Sequence, residues 1–194
     1  MLVKTYIILL LCILCSFRIN AQQIKRDDTE KLERAIGYFQ GGKYHEALLL
    51  LEDLNKKYVL NPRFKAYMGV CYYYEWDYKN ACKILEGTIS ELAVLAPREQ
   101  SVYYYCLAES CFMQNEYNKA MPYYEKATIL CLDNEKADIL YRMALCYMYS
   151  ERYDVAYEYF SSSLAYYKHF GISAEKKQRI VQISNMMQGC KEKF

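Results

Sequence analysis

Sulfur and imidazole are the groups in this chain of 194 residues whose chemistry would be easiest to recognise. Cysteine occurs nine times and histidine twice. Cys12 and Cys15 lie in an apolar N-terminal run, and Cys71, Cys82, Cys106, Cys111, Cys131, Cys146 and Cys190 follow. A zinc site needs four convergent ligands. No CxxC is present, and His45 and His169 stand far in sequence from any cysteine pair, so no metal or cofactor is expected. The later seven are an odd number, and their spacings fit no small disulfide framework. Most sit among apolar residues, where a free thiol packs as a small hydrophobe. Cys71 and Cys82 fall on facing helices of one predicted hairpin and are the pair best placed to meet. Hydrolysis would need a nucleophile, an oriented base and an oxyanion site in one cleft. There is no GxSxG, Walker loop, HExxH or GxGxxG, and the glycines between Gly37 and Gly42 sit in and after a helix rather than after a strand. No catalytic residue is expected, and the chain reads as a non-enzyme.

The elements that would position these groups are set by an internal repeat. Four segments begin a helix with Tyr, two residues and Ala: Tyr44 to Ala47, Tyr78 to Ala81, Tyr117 to Ala120 and Tyr153 to Ala156. The steps between them are 34, 39 and 36 residues. Nine positions before each Tyr stands a small residue: Ala35, Gly69, Ala108 or Ala144. Three positions after that come Tyr38, Tyr72, Cys111 or Tyr147, and seven after each pattern Tyr come Leu51, Leu85, Tyr124 or Phe160. Small residues of a first helix then meet the Ala of a second where the two cross closely, and the large residues fill the space above and below.

A period near 34 with these offsets resembles the tetratricopeptide repeat, over about Thr29 to Tyr167. The resemblance implies an all-α fold: a right-handed α-solenoid of four helical hairpins, at about 29–61, 62–100, 101–136 and 137–170. Gly42 holds the family's turn position, but Trp76, Asn115 and Glu151 replace it later. The 39-residue step adds five residues near Thr88 to Glu99, so a longer second B helix or a longer loop is expected there. His45, Asn118 and Asp154 suit N-terminal caps of the B helices, and Pro122 is placed in a first turn. After Gly171 a capping helix is predicted over 173–188, with Ile180, Val181, Ile183, Met186 and Met187 on its apolar face, because a terminal repeat leaves a face to cover.

The N-terminus has the layout of a secretory signal over 1–21: Lys4, an apolar run from Tyr6 to Phe17, and a small residue at Ala21. The run is shorter than the roughly 20 residues a span needs; an uncleaved anchor is the alternative. A short tail over 22–28 follows. The junction Asn20-Ala21-Gln22-Gln23 resembles exported proteins of Gram-negative anaerobes, which implies the periplasm. Cleavage would remove Lys4 and Arg18, leaving 23 basic against 23 acidic side chains. A neutral chain without a basic block has no electrostatic reason to bind nucleic acid or an anionic membrane.

In the family the A helices line a concave face that usually binds a peptide or a partner helix. The register places Leu32, Ile36 and Phe39 there from the first unit, and Ala66, Val70, Tyr73 and Tyr74 from the second. The third contributes Tyr105, Glu109, Phe112 and Met113, and the fourth Tyr141, Arg142, Leu145, Met148 and Tyr149. Some members grip a C-terminal carboxylate with Lys and Asn. Leu32, Ile36, Ala66 and Val70 occupy those places here, which argues against that ligand. Aromatic rings and Met instead favour apolar anchors of a protein or peptide partner. The same residues also suit packing between repeats, and both readings stay open. A structural subunit of an envelope assembly, or a homo-oligomer docking through a helix face, is the alternative function.

Overall fold

In the computed structural model the described residues are 25–170 and 173–194. The expected signal segment, residues 22–24 of the expected tail and the expected break at Gly171 lie outside them. The chain divides into two compact units, Met1–Leu60 and Asn61–Phe194.

The first unit holds α1, helical over 25–40, and α2, Tyr44–Lys57. Helix is thus already present before Thr29. Ala35, Ala47, Leu51 and Leu54 are buried. Asp28, also buried, accepts from the Tyr58 hydroxyl at 2.8 Å and from Lys57 Nζ at 3.1 Å, and Lys31 pairs with Asp53. Tyr58 and Lys57 hold the Asp28 carboxyl below its usual range against the pull of burial.

The second unit contains three hairpins and a last helix. α3 (Pro62–Tyr74) packs on α4 (Tyr78–Glu86), α5 (Pro97–Met113) on α6 (Tyr117–Leu130), and α7 (Lys136–Tyr149) on α8 (Tyr153–Phe170). α9 (Ala174–Lys191) packs on α8. Ser173 caps α9 by accepting from the Lys176 amide. Of its predicted apolar face Ile183 is fully buried, whereas Val181 is 59% exposed.

All four hairpin turns are built alike. Gly42, Trp76, Asn115 and Glu151 have φ of 71°, 63°, 62° and 60°. In the second turn the Trp76 amide donates to Tyr73 O at 3.1 Å and the Asp77 amide to Tyr72 O at 2.9 Å. The same two bonds recur at Gly42 and Lys43, at Asn115 and Glu116, and at Glu151 and Arg152. This pairing satisfies carbonyls that the helix end would otherwise leave open, and it requires the left-handed residue. Family glycine is therefore replaced in residue type but not in backbone conformation.

Asp77 also caps α4, accepting from the Asn80 amide at 3.1 Å, and Lys43 and Glu116 hold the corresponding positions before α2 and α6. The pattern Tyr is thus the first helical residue, and His45, Asn118 and Asp154 fall inside the first turn rather than at the cap. Pro122 lies inside α6 beyond the first turn, where it removes one helical hydrogen bond. The extra residues of the second step go to neither a longer B helix nor a plain loop. α4 stops at Glu86, a single 3₁₀ turn covers Ile89–Leu92, and α5 starts early with Pro97 in its first turn.

Candidate functional site

The A helices of the second unit, α3, α5 and α7, enclose a cleft of about 310 Å³. Val102, Tyr105 and Cys106 of α5 and Ile139 of α7 supply apolar surface, Tyr74 stands at the α3 edge, and Glu135 and Asp138 add carboxylates. Tyr74 and Val102 are each 48% exposed. The two carboxylates are already engaged: Arg98 donates to Glu135 at 2.9 Å, and the Tyr167 hydroxyl donates to Asp138.

Beside the cleft lies a buried polar cluster. Glu109, 2% exposed, accepts from the Tyr124 hydroxyl, and its other oxygen is 2.9 Å from Arg142 Nη2. Tyr105 is a side-chain hydrogen-bond partner of Arg142 and meets the Tyr124 ring edge-on at 6.1 Å. The guanidinium also stands 5.2 Å from the Phe112 ring centre. Burial pushes the Glu109 carboxyl above its usual range, against the lowering pull of Arg142 and Tyr124. Burial likewise opposes the Arg142 charge, but Glu109, Tyr105 and Tyr124 outweigh it, so Arg142 holds its proton more firmly than usual.

The predicted residues divide among several places. Tyr105, Glu109, Phe112 and Arg142 come together in the polar cluster. Phe112 also meets Tyr149 at 6.0 Å, and Tyr149 stacks on Tyr117 at 5.3 Å, leaving Tyr149 and Met113 about half exposed at the turn end of the unit. Tyr73 and Tyr74 pack edge-on at 5.0 Å, and Tyr73 also approaches Tyr78. Met148 is half-buried. Tyr141 is only 5% exposed, since Phe160 of α8 lies 5.9 Å away and Arg179 of α9 covers its ring at 4.5 Å. Phe39 belongs to the first unit, edge-on to Tyr44 at 5.8 Å.

Several tyrosine hydroxyls donate to carboxylates, a use that sequence reasoning missed. Besides Tyr58, Tyr124 and Tyr167, Tyr103 donates to Glu99 at 2.7 Å and Tyr123 to Glu86 at 2.9 Å. Glu99 also takes both arms of Arg63 at 2.7 Å, which ties α3 to α5. The signal for the Glu109 cluster was present in the register. Glu109 is the one acid in a column that otherwise holds Ile36, Val70 and Leu145, and Tyr124 is the one hydroxyl in a column of Leu51, Leu85 and Phe160.

The seven cysteines among the described residues are free thiols, and burial pushes Cys71 and Cys146 up to about 12. Where the sequence pairs Cys82 with Cys71, the structure sets Cys82 against Cys111 of α5 at 3.4 Å. Among the described residues no cluster of three or more His, Cys, Asp or Glu side chains could hold a metal ion, and no helix is long and apolar enough to cross a membrane.

Hairpins repeated with one register and one turn geometry make an all-helical repeat fold. The tetratricopeptide repeat model matches residues 101–134, which are α5, its turn and α6. The chain is similar to solved structures of MamA. It shares 16% identity with MamA MSR-1 at a TM-score of 0.61, covering 86% of this chain and 96% of that one. For MamA AMB-1 the values are 16%, 0.62, 86% and 91%. For MamA from Desulfovibrio magneticus RS-1 they are 16%, 0.58, 85% and 93%. No curated protein matches the chain. At these identities the likeness concerns the fold, an all-helical solenoid of tetratricopeptide-like hairpins.

Proposed function

We propose that the chain is a non-enzymatic, exported scaffold that holds a protein or peptide segment on the A-helix face of its second unit. The observation that carries this reading is the apolar cleft between α3, α5 and α7, with Tyr74 and Val102 each half exposed at its edge. A concave apolar site with a few polar groups is the usual form of a ligand site, and aromatic anchors in such sites carry most of the binding energy. Glu109, Arg142 and Tyr124 support the reading from behind, because a satisfied buried network holds the Tyr105 ring in place. The partner is best served by one apolar side chain seated over Tyr105 and Ile139. The N-terminal sequence supports export, and the periplasm is the compartment we assign.

Tyr74→Ala combined with Val102→Glu tests this. A photo-reactive residue at Gln100 identifies the partner in intact cells, and binding of that partner is then measured on the purified chain. The double variant weakens it roughly 30-fold while helix content and melting stay at wild-type values. Unchanged binding overturns the cleft as the site. Light scattering separates a second copy of this chain from a foreign partner.

A further inference from the structure

Cys82 on α4 and Cys111 on α5 bring their sulfurs within 3.4 Å of each other across the irregular joint between the second and third hairpins. The pairing belongs to this joint in the repeat register. Positions equivalent to Cys82 hold Leu48, Met121 and Tyr157, and those equivalent to Cys111 hold Tyr38, Tyr72 and Tyr147. One long side chain and one tyrosine have both given way to thiols at the same crossing.

The two sulfurs are not equivalent. Cys82 is 6% exposed, whereas Cys111 is fully buried. Gln114 Nε2 donates to Cys82 Sγ at 3.2 Å. Lys119 Nζ, held 2.9 Å from Glu86, also favours the Cys82 thiolate. The bond from Cys111 chiefly lowers the Cys82 thiol, against burial, while the same bond and burial raise Cys111. The less buried sulfur, with its lowered proton affinity, attacks, and its fully buried neighbour resolves.

We propose that Cys82 and Cys111 form a redox site, a dithiol that a low-molecular-weight disulfide oxidises to an intrachain disulfide joining α4 to α5. In the first step the Cys82 thiolate attacks one sulfur of the small disulfide; its S–S bond breaks, one thiolate leaves and a mixed disulfide forms on Cys82. In the second, Cys111 attacks Cys82 Sγ, the mixed disulfide's S–S bond breaks, and the departing small thiolate takes up the Cys111 proton. Two cysteine thiols are oxidised and one small disulfide is reduced to two thiols. Closure asks the sulfurs to approach from 3.4 Å to about 2 Å, a side-chain movement. The bond locks the joint where the repeat step is longest and fixes α5, which carries Tyr105 and Glu109, to the second hairpin.

The reduced full-length chain is incubated with glutathione disulfide, blocked with iodoacetamide and mapped by peptide mass. The expected result is a linkage of Cys82 to Cys111 and a melting temperature raised by roughly 10 °C. In Cys111→Ser a glutathione adduct accumulates on Cys82, because no resolving sulfur removes it. The wild-type map needs no variant and decides the matter even if Cys111→Ser folds poorly. Retention of both thiols under excess oxidant, or linkage of either to another cysteine, overturns the proposal.

Discussion

The second and third hairpins share a turn and a crossing, yet their cores are built on opposite chemistries. In the α3–α4 hairpin the crossing is dry. Leu85 fills the space beside Gly69, where an added Cβ would lie 2.6 Å from Leu85 Cγ. In the α5–α6 hairpin the residue in the place of Leu85 is Tyr124, and Ala108 stands in the place of Gly69. A buried phenol needs an acceptor, so Glu109 replaces the aliphatic residue of its column. A buried carboxylate in turn needs a cation, and Arg142 of α7 supplies it. One added hydroxyl has therefore drawn two charged residues into the fold and coupled one hairpin to the next. The aliphatic Leu85 calls for no such partner.

The largest expected effect comes from breaking the polar solution. Arg142→Met leaves Glu109 without its cation and costs about 3 kcal/mol, read from urea unfolding. Its pH dependence has a definite sign. The folded carboxyl lies above its ordinary range, so its stabilising contribution is complete below that range and is lost as pH rises through the raised value. Removing Arg142 enlarges this effect, and the variant gains on wild type as pH falls toward the ordinary carboxyl range. Tyr124→Phe, Glu109→Val and Arg142→Met together convert the third hairpin to the chemistry of the second and recover most of the loss.

Gly69→Ala breaks the dry solution and costs about 2 kcal/mol, because fully buried Leu85 has to move. Calorimetric melting of the variant checks it; an unchanged midpoint would mean that Leu85 has room after all. The smallest effects compare the two turns. Trp76→Gly relieves a left-handed bulky residue and stabilises by about 1 kcal/mol. Asn115→Gly stabilises less, since Asn tolerates that conformation. Equal gains in urea midpoint would show that the side chain at the turn does not matter.

What the sequence made legible was whatever recurs. The crossing residues Ala35, Gly69, Ala108 and Ala144 repeat at a fixed distance from the pattern Tyr, and so do the left-handed positions, because every hairpin meets the same backbone constraint. Contacts made once were not legible. Tyr141 has the register of a groove residue, but the final helix lays Arg179 over it, and no repeat position encodes that cover. Glu109 reads as an exposed groove charge until Arg142 and Tyr124 are seen to converge on it. The Cys82–Cys111 approach depends on how the irregular joint packs, and spacing alone pointed to Cys71. The cleft follows from three helices meeting, and only Tyr74 and Tyr105 among the expected groove residues line it.

The Asp77 amide donates to Tyr72 O of one helix and the Asp77 carbonyl accepts from the Ala81 amide of the next, and Lys43 and Glu116 hold the same double position. A hairpin consequently has no slack: nine positions separate the small residue from the pattern Tyr in every unit. The variation in repeat step falls instead between one pattern Tyr and the next small residue, in a short α4, an early α5 and the segment between them, where Ala93 to Ala96 run with Val94 90% exposed. Foreign sequence, whether a reporter loop or a protease site, has its natural lodging in that exposed segment.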